Sequence, residues 1–125
     1  MLRDHDAGAT VAVTSIQTAR PFYEGMLGLE PVNDMGQAVV YRSGRTELLV
    51  YESEYAGANK ATAVTWNVGE AITGLAAELK AKGVAFERYP DLPGLTLEGD
   101  LHVGHGMKLA WIKDPDGNVL ALAGR

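Results

Sequence analysis

The sequence predicts an α+β fold of two βαβββ modules, whose curved mixed sheets lie around a cleft. Short apolar alternations predict strands, two segments have helical character, and one order of elements occurs twice. A lone module exposes one face of its sheet, so pairing two modules buries that face and leaves a cleft between them. We therefore expect a single domain over residues 1–125, with module one at about 9–53 and module two at about 61–123.

Module one begins with Thr10–Ile16 (TVAVTSI), whose alternating β-branched residues predict a strand. Ala19–Leu27 is a short helix, since Pro21 suits a first turn and Gly28 suits a helix end. The remaining elements are an extended segment at Glu30–Asn33 and a hairpin of Gln37–Arg42 and Thr46–Glu52, joined by a turn at Ser43–Arg45.

Module two follows a polar, glycine-containing linker at Glu54–Lys60. Ala71–Lys82 is an amphipathic helix, with Ile72, Leu75, Ala76 and Leu79 at helical spacing. Pro90–Gly106 is a long irregular stretch, and connections of that length are often functional, so we expect ligand contacts there. The predicted strands are Thr62–Val68, Val84–Tyr89, Met107–Lys113 and Val119–Ala123, the last two joined by a turn at Asp114–Asn118.

The amino-acid composition limits the classes of function and of site that the chain can have. The net charge of −5 argues against a nucleic-acid surface and permits a cationic ligand. The chain has no cysteine, which excludes disulfides, thiolate metal sites and a cysteine nucleophile. Met1–Asp6 is charged, and no apolar run could span a membrane, so we expect a cytoplasmic protein with no membrane partner.

Two stretches resemble the glyoxalase/bleomycin resistance protein/dioxygenase family of the vicinal-oxygen-chelate superfamily. Val13–Leu29 (VTSIQTARPFYEGMLGL) resembles the first module of that family, and Ala110–Leu122 (AWIKDPDGNVLAL) resembles its final hairpin. A helix ending in LKAKGV lies between them, and the similarity extends over about residues 9–123. The resemblance implies a cleft lined by curved sheets, and it implies a homodimer, the commonest symmetric assembly.

The resemblance also implies a metal site in many members, held by a His from the first strand of each module and a Glu from the last strand. The corresponding positions here are Gly8, Ala63 and Ala121, none of which has a side-chain donor atom. We therefore expect no metal and no cofactor, and a cavity lined by aliphatic and aromatic side chains in place of the metal.

His102 and His105 form an HxxH pattern beside Asp100. One interpretation is a displaced metal or acid/base site, since histidine titrates near neutral pH. The other is a pair of polar loop residues near the cleft mouth, because an i,i+3 pair in a strand or loop points to opposite sides. His5, near the chain start, is expected to have no role.

Trp66 and Trp111 are candidates for an aromatic wall of the cleft, and the alternatives are core packing or a dimer contact. Tyr41 and Tyr51, on the first hairpin, have the same ambiguity. Glu47 and Glu52 are five residues apart on one strand, so they face opposite ways and cannot both enter the cleft.

Three functions are consistent with these features. The first is a small-molecule-binding protein without metal, whose ligand is a flat, amphipathic, drug-like or cationic organic compound. The second is a metal-dependent lyase, isomerase or dioxygenase with non-standard ligands, such as His102 or His105 with Glu47 or Glu52. The third is a regulatory or interaction module with a vestigial cleft, since fold alone does not fix function.

Overall fold

The computed structural model describes all 125 residues and contains two mixed sheets and two α-helices. The helical segments are a 3₁₀ turn at Leu2–Asp4, α1 at Ile16–Arg20 with a π-helical continuation at Pro21–Met26, and α2 at Ile72–Ala81. The strands are β1 Ala9–Val13, β2 Glu30–Asp34, β3 Ala38–Ser43, β4 Thr46–Glu52, β5 Thr62–Gly69, β6 Ala85–Glu87, β7 Thr96–Glu98, β8 Leu101–Gly104, β9 Met107–Lys113 and β10 Val119–Gly124.

The first sheet has the strand order β1-β4-β3-β2, in which only β1 and β4 run parallel. Paired residues on neighbouring strands share a face, so the paired Val11, Val50 and Val39 all point into the core. The opposite face of this sheet carries Tyr51 and is open. This is the strand, helix and three-strand order that the sequence predicts for module one.

The second sheet repeats this arrangement around β5-β10-β9, with β5 and β10 parallel. Its far edge differs, because β6 and β8 share the free side of β9. The hairpin of β7 and β8 lies inside Pro90–Gly106, the segment expected to be irregular, so that expectation is corrected. The reason is local: apolar and polar residues alternate on both sides of Gly99-Asp100, which is a hairpin signal.

One hydrophobic core joins the two modules. Its buried members come from both sheets and both helices, including Tyr23, Leu48, Ile72, Ile112 and Leu120. β1 and β5 lie against each other, so the first strands of the modules meet. No helix is long and apolar enough to cross a membrane.

The Asp114–Asn118 turn of module two is hydrogen-bonded to residues of module one. Asp114 is buried, and its Oδ2 accepts hydrogen bonds from the Tyr23 hydroxyl (2.7 Å) and the Asn118 side-chain amide (2.8 Å). The same amide donates to the carbonyl of Ala12 at 2.7 Å. Burial, and next the charge of Asp114, raises the pKa of Tyr23, so the phenol stays protonated and donates. The turn is therefore a polar clamp between modules.

The linker is fixed to the same turn. Gly57 has φ +67°, and a Cβ there would collide with the carbonyl of Asp116. Asp116 also accepts hydrogen bonds from the backbone N–H (3.0 Å) and the hydroxyl of Thr14. The linker, the turn and the end of β1 thus form one packed unit.

Candidate functional site

An apolar cavity of about 270 Å³ lies between the modules, on the core-facing side of the second sheet. We call this side of the sheet the inner face, and the opposite side the outer face. The hydrophobic lining comes from the end of the π-helical turn, from α2 and from the second sheet: Met26, Leu27, Leu29, Trp66, Val68, Leu75, Leu79, Ile112 and Leu122. The volume approaches the roughly 300 Å³ at which small-molecule sites begin.

Trp66 joins the cavity to module one. Its indole Nε1 donates a hydrogen bond of 2.8 Å to Oγ of Ser43, which lies at the end of β3 and also lines the cavity. The Ser43 hydroxyl makes no other hydrogen bond in the structure, so its own proton is free to be donated. The Trp66–Ser43 pair is therefore a polar point in an otherwise apolar wall.

The mouth of the cavity is formed by its exposed lining residues, Gly28, Glu78 and Lys82. Lys82 and Glu78 are one helical turn apart on α2 and form an ion pair of 3.7 Å. The two charges cancel, so the mouth carries no net charge.

The outer face of the second sheet carries the other tryptophan. Trp111 on β9 donates from Nε1 to Oγ1 of Thr62 on β5 at 3.2 Å, and β10 lies between these strands. The indole therefore crosses β10, where Ala121 pairs with Trp111 and is buried. A small residue at position 121 leaves the space that the indole needs.

His102 packs against this tryptophan and is 1% exposed. Its ring lies edge-on to Trp111 at 4.7 Å and is tilted against Tyr89 at 5.8 Å. Nε2 accepts the backbone N–H of Tyr89 (2.9 Å), which places the proton on Nδ1, 3.4 Å from the carbonyl of Leu109. Both nitrogens are engaged, so His102 has no lone pair left for a metal or a substrate.

His105 is separate from His102 and exposed, in the β8–β9 turn, with φ +53°. Its ring lies over Gly94, where a Cβ would collide with it. The two histidines therefore have different neighbours. Neither lines the cavity, and nor does the rest of Pro90–Gly106.

Tyr41 and Tyr51 lie apart from the cavity as well. Tyr41 is buried in the core, stacks on Tyr23 at a ring distance of 6.1 Å and donates to Glu24 at 2.7 Å. Burial, and next the hydrogen bond to Glu24, raises the pKa of Tyr41. Tyr51 is exposed on the open face of the first sheet. Of the six aromatic and histidine candidates, Trp66 alone lines the cavity.

Glu47 and Glu52 do not meet. Glu52 accepts the backbone N–H of Ile16 at 2.9 Å and so stabilises the start of α1, where a negative charge favours a helix. Glu47 lies beside Arg42 and Arg45 in an exposed polar depression at the end of the first hairpin. Neither carboxylate belongs to a group of three ligating side chains that could hold a metal ion.

The positions that hold the metal in the family do not fit one here. Ala63 is exposed, Ala121 is buried beneath Trp111, and Gly8 lies in the polar depression next to Glu47. No group of three His, Asp or Glu side chains anywhere in the chain is placed to hold a metal ion. A divalent ion needs about three protein ligands in one place.

Several residues of the cavity had no signal in the sequence. Ser43 was expected only as a turn residue, and its partnership with Trp66 joins positions 23 residues apart. Met26, Leu27 and Leu29 belong to the stretch that resembles the family, but nothing in their spacing indicates a cavity. Leu75 and Leu79 were expected on the apolar face of α2, where the structure places them.

A family model for the glyoxalase/bleomycin resistance protein/dioxygenase superfamily matches residues 7–122, so the chain belongs to this superfamily. None of the curated proteins compared with it matches its sequence.

Solved structures show the same fold. A glyoxalase family protein from Enterococcus faecalis has a TM-score of 0.73 and 19% identity, over 98% of this chain and 99% of that one. A lactoylglutathione lyase from Agrobacterium tumefaciens has a TM-score of 0.70 and 19% identity, over 96% and 92%. A fosfomycin resistance protein from Listeria monocytogenes has a TM-score of 0.69 and 12% identity, over 97% and 93%. At these identities the likeness establishes the fold alone.

Proposed function

We propose that this chain is a small-molecule-binding protein, which takes a flat or amphipathic organic compound into the cavity between its modules without a metal. The observation that carries this proposal is the cavity itself, about 270 Å³ in volume and lined mainly by apolar side chains around Trp66. Burial of apolar ligand surface would supply most of the binding free energy, at roughly 25 cal/mol per Å² before the cost of association.

The alternative of a metal-dependent lyase, isomerase or dioxygenase has less support. Its non-standard ligands would be His102 or His105 with Glu47 or Glu52. Both nitrogens of His102 are used by the protein, and Glu52 accepts the first N–H of α1. A metal titration checks this part of the proposal, since Zn²⁺ or Mn²⁺ should leave the melting temperature unchanged.

The proposal includes a cytoplasmic location and a homodimer, both expected from the sequence. The open face of the first sheet supports the dimer, because Tyr51 is 38% exposed there beside half-buried Leu49 and Val40. Light scattering at micromolar concentration checks the assembly independently of ligand binding.

Ligand binding is tested with indane and 1-indanone, two neutral bicyclic compounds of nearly equal size. At about 100 times its Kd, a ligand stabilises the folded state by about 2.7 kcal/mol, which raises the melting temperature by roughly 10 °C. We expect a saturable increase for at least one of the two. Leu75→Trp should abolish it by filling the cavity, whereas Thr73→Trp, at an exposed position of α2, should retain it. No shift with either compound would contradict the proposal.

A further inference from the structure

We infer that the cavity selects a neutral, compact bicyclic ligand that carries one hydrogen-bond acceptor, and that the acceptor binds the hydroxyl of Ser43. This inference rests on the proposed function and specifies its ligand class. Three observations support it: the free proton of Ser43, the balanced charge at the mouth, and the cavity volume.

Ser43 is arranged as a donor. Its oxygen already accepts the indole N–H of Trp66 at 2.8 Å, and the hydroxyl makes no hydrogen bond as a donor. A hydroxyl that accepts one hydrogen bond becomes a better donor, because chains of hydrogen bonds polarise one another. Since Ser43 and its partner Trp66 both line the cavity, a carbonyl or ether oxygen of a ligand can accept this proton. A ligand with only donors would leave the hydroxyl proton without an acceptor.

Charge argues for a neutral ligand. The only charged residues that line the cavity are Glu78 and Lys82, and these pair with each other at the mouth. An ion that moved into the apolar interior would lose its hydration without gaining a partner there, which is strongly unfavourable. The acidic net charge of −5 therefore brings no cation into this cavity.

The cavity volume limits the size of the ligand. An engineered cavity of about 150 Å³ in another protein binds benzene. The cavity here, at about 270 Å³, has room for a second fused ring. Trp66 forms part of its wall, and a flat ligand can stack on or meet the edge of an indole. A fused bicyclic ketone satisfies the size, charge and acceptor requirements together.

The test measures the affinities of four matched compounds by isothermal titration calorimetry: indane, 1-indanone, 1-aminoindane as a cation and indane-1-carboxylate as an anion. One neutral hydrogen bond contributes about 1 kcal/mol, so 1-indanone should bind roughly fivefold to tenfold more tightly than indane. Both ions should bind more weakly than 1-indanone. In Ser43→Ala the two neutral compounds should bind within twofold of each other, and Ser43→Thr, which keeps the hydroxyl, should preserve the preference.

Controls separate the hydroxyl from general damage. Trp111→Phe changes the outer face and should leave the affinity for 1-indanone unchanged. It also leaves Trp66 as the sole tryptophan, so one indole N–H resonance should shift more with 1-indanone than with indane. Ser43→Ala leaves the Trp66 N–H without its acceptor. If this variant does not fold for that reason, the double variant Ser43→Ala/Trp66→Phe is used instead, because it removes the donor together with the acceptor.

The outcomes are distinguishable. Equal affinity of wild type for indane and 1-indanone would overturn the acceptor inference while the proposed function stands. Tighter binding of 1-aminoindane or the carboxylate would overturn the neutral-ligand inference and assign the selectivity to Glu78 or Lys82. Binding of none of the four compounds would overturn the proposed function as well.

Discussion

The two faces of the second sheet each carry one tryptophan, and the surroundings of the two indoles differ. On the inner face, Trp66 donates to a residue of module one and borders a cavity. On the outer face, Trp111 donates within its own sheet and packs against His102 and Tyr89. Trp66 therefore borders a cavity between the two modules, whereas Trp111 is packed within module two.

This difference supports the proposal that this chain binds a ligand without a metal. Ala121, at the metal-ligand position, allows the Trp111 indole to cross β10. On that face the Trp111 indole packs over Ala121, and the apolar cavity lies on the other face.

The largest effect is expected from Asp114→Ala, which removes the clamp that holds the inner face against module one. The carboxylate accepts the Tyr23 hydroxyl, the Asn118 amide and two backbone N–H groups. Removing a buried, multiply bonded carboxylate should lower the free energy of unfolding by about 3 kcal/mol. Urea denaturation followed by circular dichroism measures this, and 1-indanone binding should weaken in parallel. Glu98→Ala, at an exposed position on β7, is the control and should change stability by less than about 0.5 kcal/mol.

A loss below about 1 kcal/mol for Asp114→Ala would mean that apolar packing alone holds the modules together. The cavity would then depend on the core and not on the clamp.

The next effect concerns His102 on the outer face, for which the exposed His105 is the matched control. His102→Ala removes a buried ring, its hydrogen bond to the Tyr89 N–H and its contact with Trp111. We expect a loss of about 2 kcal/mol in stability with unchanged affinity for 1-indanone. His105→Ala, at an exposed turn position, should change stability by less than about 0.5 kcal/mol. A change in ligand affinity for His102→Ala would contradict this prediction, because it would show that the outer face influences the cavity on the inner face.

The sequence predicted the modules well because local signals agreed with the tertiary arrangement. Alternation defined β4 and β9 to the residue, and Gly28 marked the end of the first helical segment. The start of that segment was wrong, because it begins at Ile16 after the Ser15 cap and Pro21 does not lie in its first turn. The β7–β8 hairpin was missed although Gly99-Asp100 lies between alternating residues, because the whole of Pro90–Gly106 was interpreted as one irregular stretch. Local pattern also could not tell which face of a strand borders a cavity.

The candidate site was predicted less well, for a reason that its residues make clear. Trp66 and Trp111 have equal status in the sequence, as aromatic residues of module-two strands. Only the pairing of strands places Trp66 with Leu122 and Trp111 with Ala121, on opposite faces. The partner of Trp66 is a serine at the end of a strand in the other module, which only tertiary structure brings within hydrogen-bond distance.

A smaller effect is expected from Gly57→Ala in the linker. Position 57 combines φ +67° with backbone contact to Asp116, so a methyl group both strains the chain and displaces the turn that carries the clamp. The loss should be about 1–2 kcal/mol, since an alanine in the left-handed region costs about 1 kcal/mol by itself. Gly25→Ala meets no neighbouring atom and has no such φ, so its stability should equal or exceed that of wild type. Equal stability of the two variants would show that the linker moves independently of the clamp.

The smallest effect is expected at Asp100, which lies between α2 and the segment that follows β6. Its carboxylate lies 3.0 Å from Nζ of Lys80 on α2 and 3.1 Å from Nε of Arg88 after β6. The hydrogen bond to Lys80, and then the one to Arg88, lowers the pKa of Asp100 despite partial burial. A lowered folded-state pKa stabilises the protein at every pH above the unfolded value of about 3.9, and this contribution is lost as the pH falls through the folded value.

Asp100→Asn should therefore reduce stability by at most about 1 kcal/mol at pH 7, as for an ion pair near the surface. The difference from wild type should shrink only below about pH 4, whereas Asp91→Asn, exposed in the following loop, should match wild type throughout. Parallel denaturation curves from pH 7 to pH 2.5 check this, and a difference that persisted at pH 2.5 would assign the effect of Asp100 to hydrogen-bond geometry rather than to charge.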